Sequence, residues 1–403
     1  MKITGLETFV VGNPPPYNGG RYFIFVKLVA DNGIVGYGEI YAASFGPAAI
    51  VAMTQDVFVH HVEGTDPFRI ETLWRNVYGR GYSQRPDISL MGVLSGIEMA
   101  LWDIVGKALD KPVHALLGGR VRERLRSYTY LYPRGEEGHA YSDAAVYRDP
   151  DAAASRALDC VNEGFTAVKF DPAGPYSTFD PRQPSLERLE LSERFCRRIR
   201  EAVGTHCDLL FGTHGQFTTS GAIRLARHLE PYDPLWFEEP TPPESPEEMA
   251  RVARATTVPI ATGERLTTKY EFARVLALGA ASILQPALGR VGGLLEAKKI
   301  AGMAEAHYAQ LAPHLYCGPI EGAANIQLAA CIPNFLILES IERWDGFHAK
   351  ILKQPIDWEA GYVIVPDAPG LGVELDEDVA RAHPYSGNEL HLMPRAAPVE
   401  KPD

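Results

Sequence analysis

The segments DLLFGTHG (208–215), LWFEEPTPP (235–243) and PIATGERLTT (259–268) decide the fold. Each is a short apolar run that ends in polar residues and a Gly- or Pro-containing loop, and a helical pattern follows. The same theme repeats from about residue 127 to about residue 335. Strands that alternate with helices at roughly 25-residue spacing predict a parallel sheet, and this many units favours closure into an α/β (β/α)8-type barrel. From the pattern alone, a doubly wound sheet is the alternative.

The N-terminal part has a different pattern, typical of an α+β unit. Apolar residues alternate along three stretches between residues 3 and 40, with a turn signal at Asp31-Asn32-Gly33, which predicts an antiparallel meander. Helical periodicity then covers residues 48–115. We therefore predict an α+β domain over residues 1–125, a barrel over residues 126–345 and a C-terminal segment over residues 346–403 that returns to the first domain.

Length and charge limit the classes of function. A chain of 403 residues with 46% hydrophobic side chains is too long for one ordinary core and about right for a barrel plus a smaller domain. The net charge of -12 and the pI near 5.5 do not indicate a basic surface that could bind a polyanion such as nucleic acid. No run of Lys or Arg predicts a patch that binds a membrane surface. Nucleic acid and membranes are therefore not expected partners. An anionic substrate would have to be attracted locally, by a metal and nearby Lys or Arg.

The cysteines and the N-terminus indicate the compartment. The five cysteines are odd in number, scattered and never in a CxxC pair, which predicts reduced thiols. The N-terminal sequence MKITGLETFVVGNPPP has no charged region followed by an apolar run of about 7–15 residues, which a signal peptide would need. No later stretch of about 18 apolar residues predicts a membrane-spanning helix. We therefore expect a cytoplasmic protein.

Polar side chains stand directly after the successive apolar runs. In a (β/α)8 barrel the C-terminal ends of the strands converge on one face, so these side chains should meet in space. The intervals from residue 214 to 238 and from 238 to 264 each match one strand–helix unit. The strand-end residues are Lys169, Asp171, His214, Glu238, Glu239, Glu264, Arg265, Gln285, His314 and Glu339.

The carboxylates of Glu238 and Glu264 and the imidazole of His214 suit a hard divalent cation, which takes oxygen ligands and keeps waters for a substrate to displace. The reaction that needs this set is enolisation. The proton alpha to a carboxylate is very weakly acidic, so a cation must offset the second negative charge that develops on the carboxylate oxygens. A Lys or His with a near-neutral pKa takes the proton.

Longer motifs resemble a known family. The stretches LMGVLSGIEMALWDIVGKALDKPVHALLGG, AVKFDP, WFEEPTPP, IATGERLTTKYEF, GRVGGLLEAKKIAGMAEAHY and APHLY resemble the enolase superfamily, most of all the galactonate dehydratase-like acid-sugar dehydratases of its mandelate racemase branch. The similarity runs from about residue 2 to about residue 375. It implies an α+β capping domain, a modified TIM barrel and Mg²⁺ held by three acidic side chains at successive strand ends. It also implies a homo-oligomer built from dimers, with octamers common.

One departure from the family pattern concerns the metal ligands. The resemblance matches Glu238 and Glu264 to two of the acidic ligands, but Gly212 stands at the place of the third. His214 matches a neighbouring family His, so it is either a replacement metal ligand or a general acid, and a structural His is the plain alternative. We expect His214 or water at the place vacated by Gly212. Gly212→Asp is then expected to tighten Mg²⁺ binding.

A second departure concerns the base. The predicted catalytic residues are His314, His214 and Lys169. His314 matches the family's catalytic His, but Ala287 stands where relatives carry the Asp that orients it, so His314 should be less basic and less well oriented. Lys169 matches a Lys that faces the substrate carboxylate, and a salt bridge with Asp171 or Glu339 is its structural alternative.

Residues that contact the substrate are predicted in two places. The family position of Glu339 hydrogen-bonds a substrate carboxylate, and this role requires a protonated side chain. The loops at residues 12–22 and 41–47 are rich in Pro, Gly and aromatics and fit a domain that closes over the substrate. The candidates for substrate binding are Asp171, Glu339, Arg265, Tyr22 and Arg80, and Tyr17, Arg21, Tyr41 and Tyr82 are further candidates for reading hydroxyl groups.

The resemblance implies three alternative functions. The leading one is a carbon–oxygen lyase (hydro-lyase) reaction, the Mg²⁺-dependent dehydration of an aldonate or aldarate to its 2-keto-3-deoxy acid through an enolate. The second is epimerisation, racemisation or cycloisomerisation through the same enolate, but Asp171 stands where some relatives carry the second Lys of a two-base racemase. The third is a non-catalytic relative that binds a sugar acid with a degraded metal site.

Overall fold

The computed structural model describes residues 1–42, 45–82, 84–134, 144–171 and 182–392. Residues 43–44 of the predicted substrate loop and residues 393–403 of the predicted C-terminal segment lie outside this part of the chain. The strands are β1 Ile3–Gly12, β2 Tyr22–Ala30, β3 Val35–Ile40, β4 Arg124–Tyr130, β5 Ala167–Phe170, β6 Asp208–Gly212, β7 Trp236–Glu238, β8 Ile260–Thr262, β9 Ile283–Leu284, β10 Gln310–Leu311, β11 Leu338–Ser340, β12 Trp358–Glu359 and β13 Tyr362–Ile364. The α-helices are α1 Pro47–Val57, α2 Ile70–Gly79, α3 Ile88–Leu109, α4 Val113–Leu116, α5 Pro150–Glu163, α6 Leu186–Val203, α7 Thr219–Leu229, α8 Pro246–Ala253, α9 Thr268–Leu278, α10 Leu294–Ala306, α11 Pro319–Cys331, α12 Gly346–Lys350 and α13 Glu377–Ala382.

An antiparallel sheet of β1, β2 and β3 forms one layer of the N-terminal domain, as the alternating pattern predicts. The turn between β2 and β3 contains Gly33 in the left-handed conformation, φ 83°, which glycine adopts without strain. Helix α3 packs on this sheet so closely that a Cβ atom at Gly36 or Gly38 would collide with its backbone. The glycines of β3 therefore permit the close contact between helix and sheet.

Helix α3 is a buried helix of this domain. Asp87 caps its start by accepting from the backbone N–H groups of Ser89 and Leu90, at 2.8 and 3.1 Å. Within the described ranges, α3 is the one helix that is long and apolar enough to cross a membrane by length and composition. In its most apolar 18-residue stretch, 78% is buried inside the protein. Its apolar composition is therefore explained by its place in the core of the domain.

In the part of the chain that the structure describes, eight parallel strands close into a barrel, and this confirms the predicted fold class. The strands pair in chain order from β4 to β10, with Gly212 of β6 opposite Glu238 of β7. Strand β11 pairs with β4, and a bridge between Leu311 and Phe335 links β10 to the segment before β11, so the ring is closed. The five cysteines lie buried in barrel segments and are free, in agreement with the predicted reduced thiols.

One buried layer inside the barrel takes a residue from each strand or its flank, and this layer supports the strand ends above it. Its members are Tyr128, Ala167, Leu210, Trp236, Ala261, Ile283, Ala312 and Ile337. Trp236 is fully buried in it, and the ring of Tyr128 meets the Trp236 ring edge-on at 5.5 Å. The floor of the site is therefore a packed core and not a channel.

The chain after the barrel runs back over both domains. Strands β12 and β13 form a hairpin whose second strand pairs antiparallel with β4. Helix α13 packs on β1, where Arg381 lies 2.5 Å from Glu7, and the Tyr37 hydroxyl of β3 donates to Glu377 at 2.7 Å. The chain then reaches His391, which is buried beside β2.

Two buried carboxylates of the N-terminal domain cap helices of the barrel. Glu98 of α3 accepts the first two backbone N–H groups of α10, at 2.7 and 2.9 Å. Glu39 of β3 accepts the N–H groups of Gly318 and Glu321 at the start of α11, at 2.6 and 2.9 Å. The first N–H groups of a helix have no partner within the helix, and the N-terminus carries partial positive charge. The contact between the domains is therefore polar as well as apolar.

Candidate active site

The predicted strand-end residues lie together at one end of the barrel. Lys169 and Glu339 are on β5 and β11, Glu238 ends β7, and Glu264 and His314 follow β8 and β10. These five side chains are buried, with exposed fractions between 0 and 6%. Charged side chains are almost never buried unless they are paired, so each of them needs a partner or a ligand.

Lys169 and Glu238 form a buried ion pair. The Lys169 Nζ atom lies 2.6 Å from Glu238 Oε1 and 3.5 Å from Glu339 Oε1. The second oxygen of Glu238 accepts from Gln285 Nε2 at 2.9 Å and from Trp236 Nε1 at 3.1 Å. Burial lowers the pKa of Lys169, but the surrounding carboxylates outweigh burial and raise the pKa above its ordinary value. Lys169 is therefore protonated at neutral pH when it is paired with these carboxylates.

The space beside Gly212 is filled by the same lysine. A Cβ atom at Gly212 would lie 2.7 Å from Lys169 Cε and 3.1 Å from Lys169 Cγ. The stem of Lys169 thus occupies the volume beside Gly212, and His214 or water as the third ligand in the metal-bound protein stays a prediction. An Asp at position 212 would have to displace Lys169, so we expect Gly212→Asp alone to leave Mg²⁺ binding nearly unchanged.

Glu264 has an open carboxylate oxygen. Its Oε2 atom is buried and has no hydrogen-bond partner among the described residues. His314 Nε2 lies 3.6 Å and His214 Nε2 lies 3.8 Å from this oxygen. Burial raises the pKa of Glu264, but His314, His214 and Lys169 outweigh burial and hold the pKa below its usual range. Burial lowers the pKa of His314 to about 3, so at pH 7 Glu264 is ionised and His314 is neutral.

Glu238, Glu264 and His214 can hold a divalent cation. Their ligand atoms lie within 4.8 Å of one another. Glu264 offers the open oxygen, and Glu238 Oε1, which accepts from Lys169, keeps a second lone pair. A buried carboxylate oxygen without a donor is unfavourable, and a cation would satisfy it. The residues present therefore fit a metal.

His314 is held by stacking instead of a carboxylate. The ring of Tyr41, from the N-terminal domain, lies against it with centroids 5.7 Å apart and planes at 18°. The guanidinium of Arg290 lies 3.5 Å from the centre of the Tyr41 ring. Ala287 bridges to His314 on the neighbouring strand, and His314 Nδ1 has no hydrogen-bond partner within the described ranges. The orienting Asp is thus absent, and Tyr41 occupies a face of the imidazole.

Three predicted substrate residues lie at or beside this cluster. Arg265 donates to Glu239 Oε2 from Nε at 2.9 Å and from Nη2 at 2.6 Å, and to the His214 carbonyl oxygen at 2.8 Å. It therefore fixes the backbone of the His214 loop. Asp171 follows β5 and is 9% exposed. Burial raises the pKa of Glu339 to about 7, the direction that a hydrogen bond from Glu339 to a substrate carboxylate requires. Substrate contact by all three stays a prediction.

The other two predicted substrate residues belong to the N-terminal domain. Tyr22 is buried in β2, and its hydroxyl donates to the Phe45 carbonyl oxygen at 3.3 Å. Its ring lies 5.5 Å from the ring of His391. Arg80 is exposed in a short helical turn. Burial of His61 lowers the pKa of that histidine, and the nearby charge of Arg80 lowers it further. The structure therefore does not place Tyr22 and Arg80 in the strand-end cluster.

Sequence reasoning missed Arg290 and His391. Arg290 is 4% exposed, and its signal was a lone cation in the otherwise apolar stretch PALGRVGG after β9. His391 nitrogens lie 2.8 and 3.0 Å from the carbonyl oxygens of Tyr22 and Tyr316, and its ring lies 5.3 Å from that of Tyr41. No local pattern indicates His391, because its position depends on the path of the whole C-terminal segment.

Comparison with known families agrees with this geometry. The model of the mandelate racemase/muconate lactonizing enzyme N-terminal domain matches residues 18–118, and the enolase C-terminal domain-like model matches residues 152–379. The chain belongs to the mandelate racemase/muconate lactonizing enzyme family. Membership of this family confirms the predicted resemblance and the predicted fold of a capping domain with a barrel.

Individual members of the mandelate racemase/muconate lactonizing enzyme family match almost the whole chain. D-galactonate dehydratase from Ralstonia nicotianae is 36% identical over 94% of this chain and 93% of its own length. D-xylonate dehydratase from Haloferax volcanii is 34% identical over 96% of this chain and 90% of its own length. The crystal structure of the family member from Sulfitobacter sp. is 56% identical, with a TM-score of 0.95 over 100% of both chains. A crystal structure from Labrenzia alexandrii DFL-11 is 66% identical, with a TM-score of 0.94 over 97% of this chain and 99% of the other. The predicted class of enzyme, a hydro-lyase, is confirmed by these matches.

Proposed function

We propose that this enzyme removes water from a sugar acid. The observation that carries the proposal is the arrangement around Glu264, where a neutral buried imidazole, His314, lies beside a set of ligands that fit a divalent cation. The buried ammonium of Lys169 adds positive charge to the same site. The names of the relatives, D-galactonate dehydratase and D-xylonate dehydratase, support an aldonic acid as the substrate, and an aldaric acid is the alternative from the family resemblance.

The proposed reaction takes one proton and one hydroxyl group from the substrate. A base takes the proton at C2, and the electron pair of that bond forms the C2–C3 double bond. The hydroxyl at C3 leaves with its electron pair and, with a proton from a general acid, becomes water. The resulting enol tautomerises to a 2-keto-3-deoxy acid. No oxidant or reductant takes part.

Each step has residues of this chain to perform it. Glu238 and Glu264, with His214 or water as the third ligand, would hold the cation, for which the family expectation is Mg²⁺, and the cation would offset the negative charge that develops on the substrate carboxylate. Lys169, as a fixed ammonium, adds to that effect. His314 is neutral and takes the C2 proton. His214 either holds the cation or gives a proton to the leaving hydroxyl.

The positive charge of Lys169 favours dehydration over racemisation as the reaction of this site. A two-base racemase needs a proton acceptor on each face of the substrate. Here Lys169 is held as a cation by Glu238 and Glu339, and Asp171 takes the place of the second Lys. A non-catalytic protein that binds a sugar acid would show no turnover of any acid.

An assay on a panel of aldonic and aldaric acids tests the proposal. The full chain is incubated with each acid and either Mg²⁺ or Mn²⁺, and 2-keto acid is detected with semicarbazide. We expect turnover of one or a few acids, and its loss in Glu264→Gln, which keeps the side chain's size but removes its charge. Exposed Glu305→Gln is the matched control. Epimer without 2-keto acid, or full activity of Glu264→Gln, would contradict dehydration at this site.

Assembly and location are also proposals for this enzyme. We propose a homo-oligomer built from dimers and a cytoplasmic location, in line with the family resemblance and the free buried cysteines. Analytical ultracentrifugation tests the assembly, because a monomer at micromolar concentration would contradict it.

A further inference from the structure

The strand-end site has one carboxylate fewer than a three-acid site, and the imidazole of His214 lies within reach of the two carboxylates that are left. Gly212 offers no side chain, and the stem of Lys169 fills the volume beside it. His214 lies with Glu238 and Glu264 so that one ligand atom of each is within 4.8 Å of the others. The protein ligand set is therefore two carboxylate oxygens and one ring nitrogen.

The net charge at the site is also less negative than in a three-acid site. The Lys169 ammonium, 2.6 Å from Glu238 Oε1, offsets one of the two remaining carboxylate charges. Mg²⁺ prefers carboxylate oxygen and water, and it gives up water reluctantly. Imidazole nitrogen suits first-row transition cations, whose affinity for a given site rises from Mn²⁺ towards Cu²⁺. Losing carboxylate charge and gaining a nitrogen ligand therefore weakens Mg²⁺ binding more than transition-cation binding.

The His214 loop is built to present its ring. The backbone N–H of His214 donates to Gln216 Oε1 at 2.6 Å, and its carbonyl oxygen accepts from Arg265 at 2.8 Å. Both backbone groups are thus fixed, while the side chain stays 26% exposed and lies 3.8 Å from Glu264 Oε2. That buried oxygen, open among the described residues, points independently to a cation.

We propose that this enzyme selects a divalent first-row transition cation over Mg²⁺ and that His214 is the ligand responsible. The inference rests on the proposed function only in that a cation acts at this site. His314, the other imidazole beside Glu264 Oε2, is assigned to the base and not to the metal. The two histidines therefore form a matched pair of variants.

Mn²⁺ serves as the probe. Binding of Mn²⁺ and of Mg²⁺ to the full chain is measured by calorimetry for wild type, His214→Asn and His314→Asn. The bound Mn²⁺ is then examined by electron spin echo spectroscopy for coupling to an imidazole nitrogen. We expect the coupling in wild type and in His314→Asn but not in His214→Asn. His214→Asn should weaken Mn²⁺ binding by more than about tenfold and Mg²⁺ binding by less than about threefold.

Several outcomes would overturn the inference. Bound Mn²⁺ without nitrogen coupling in wild type would show a site of oxygen ligands only. Coupling lost in His314→Asn but kept in His214→Asn would make His314 the ligand, and no Mn²⁺ binding at millimolar concentration would remove the site. The proposed function is tested separately. Dehydration with Mg²⁺ in a site without nitrogen coupling would support the proposed function and overturn the inference about the metal. Nitrogen coupling without turnover of any acid would contradict the proposed function and support the inference about the metal.

Discussion

His314 is the residue whose replacement separates the base from the metal ligands. It is buried, neutral and stacked on Tyr41. His314→Asn is similar in size but takes no proton at neutral pH, so kcat on the active acid should fall by at least ~10²-fold, while cation affinity changes little. Steady-state kinetics and cation titration check this. If His314→Asn keeps most of its activity while Lys169→Met or His214→Asn abolishes it, proton abstraction belongs to the opposite side of the barrel.

Gly212 and Lys169 should behave as a coupled pair. An Asp at position 212 meets the Lys169 stem and would pair with its ammonium, so Gly212→Asp alone should change Mg²⁺ affinity by less than about threefold. Lys169→Ala clears that volume, so Gly212→Asp combined with Lys169→Ala should tighten Mg²⁺ binding beyond the sum of the single changes. Calorimetry on the four proteins completes the cycle. Strict additivity would mean that the lysine does not control position 212.

At the scale of secondary structure, the barrel was predictable because its signals are local. The motif AVKFDP contains β5, WFEEPTPP contains β7, and the apolar start of IATGERLTTKYEF is β8. Each motif shows a short apolar run that ends at a polar strand end, and neighbouring residues suffice to reveal it. The spacing of Glu238 and Glu264 predicted for the same reason that these side chains lie together, since each strand–helix unit returns the chain to the same end of the barrel, and that they bind a metal stays a prediction.

Contacts between distant elements were not predictable in this way. The stack of Tyr41 on His314 joins the loop after β3 to the loop after β10. Lys169 covers Gly212 because β5 and β6 are neighbours and position 212 has no side chain. The sequence shows that a carboxylate is missing at position 212 but not which side chain takes its volume, because that depends on rotamers and packing.

The segment after α13 reaches the edge of the site at His391. Its ring lies against Tyr41 and Tyr22, under Gly20, where a Cβ atom would collide with it. His391→Ala should loosen Tyr41 and with it His314, lowering kcat by about tenfold, since small misplacements of catalytic groups have large effects. Cation affinity should stay unchanged. His383→Ala, in the same segment but half-buried beside α13, is the control and should keep full activity. Equal kcat in the two variants would contradict this role.

For the molecule as a whole, the contact between the domains should make stability depend on pH. Burial, with the Glu39 carboxylate beside it, raises the pKa of Glu321 from 4.5 to about 8. The folded protein therefore binds a proton that the unfolded chain releases, so this group's contribution is complete below about pH 4.5 and is lost as pH rises towards 8. Glu321→Gln, neutral at every pH, should flatten the fall in Tm between pH 5 and pH 8. Parallel Tm curves for wild type and Glu321→Gln would contradict this, and Glu305→Gln is the exposed control.

The carboxylates of Glu98 and Glu39 limit how this enzyme can be recombined with its relatives. A chimera with a foreign N-terminal domain must supply an acceptor at both places. Otherwise the first N–H groups of α10 and α11 are buried without a partner, which is unfavourable by about 1–3 kcal/mol for each group. Exchanging whole domains to alter substrate preference would therefore destabilise the barrel wherever the foreign domain lacks either acceptor. Grafting only the loop at residues 12–22 leaves both helix caps intact and is the safer route to a new specificity.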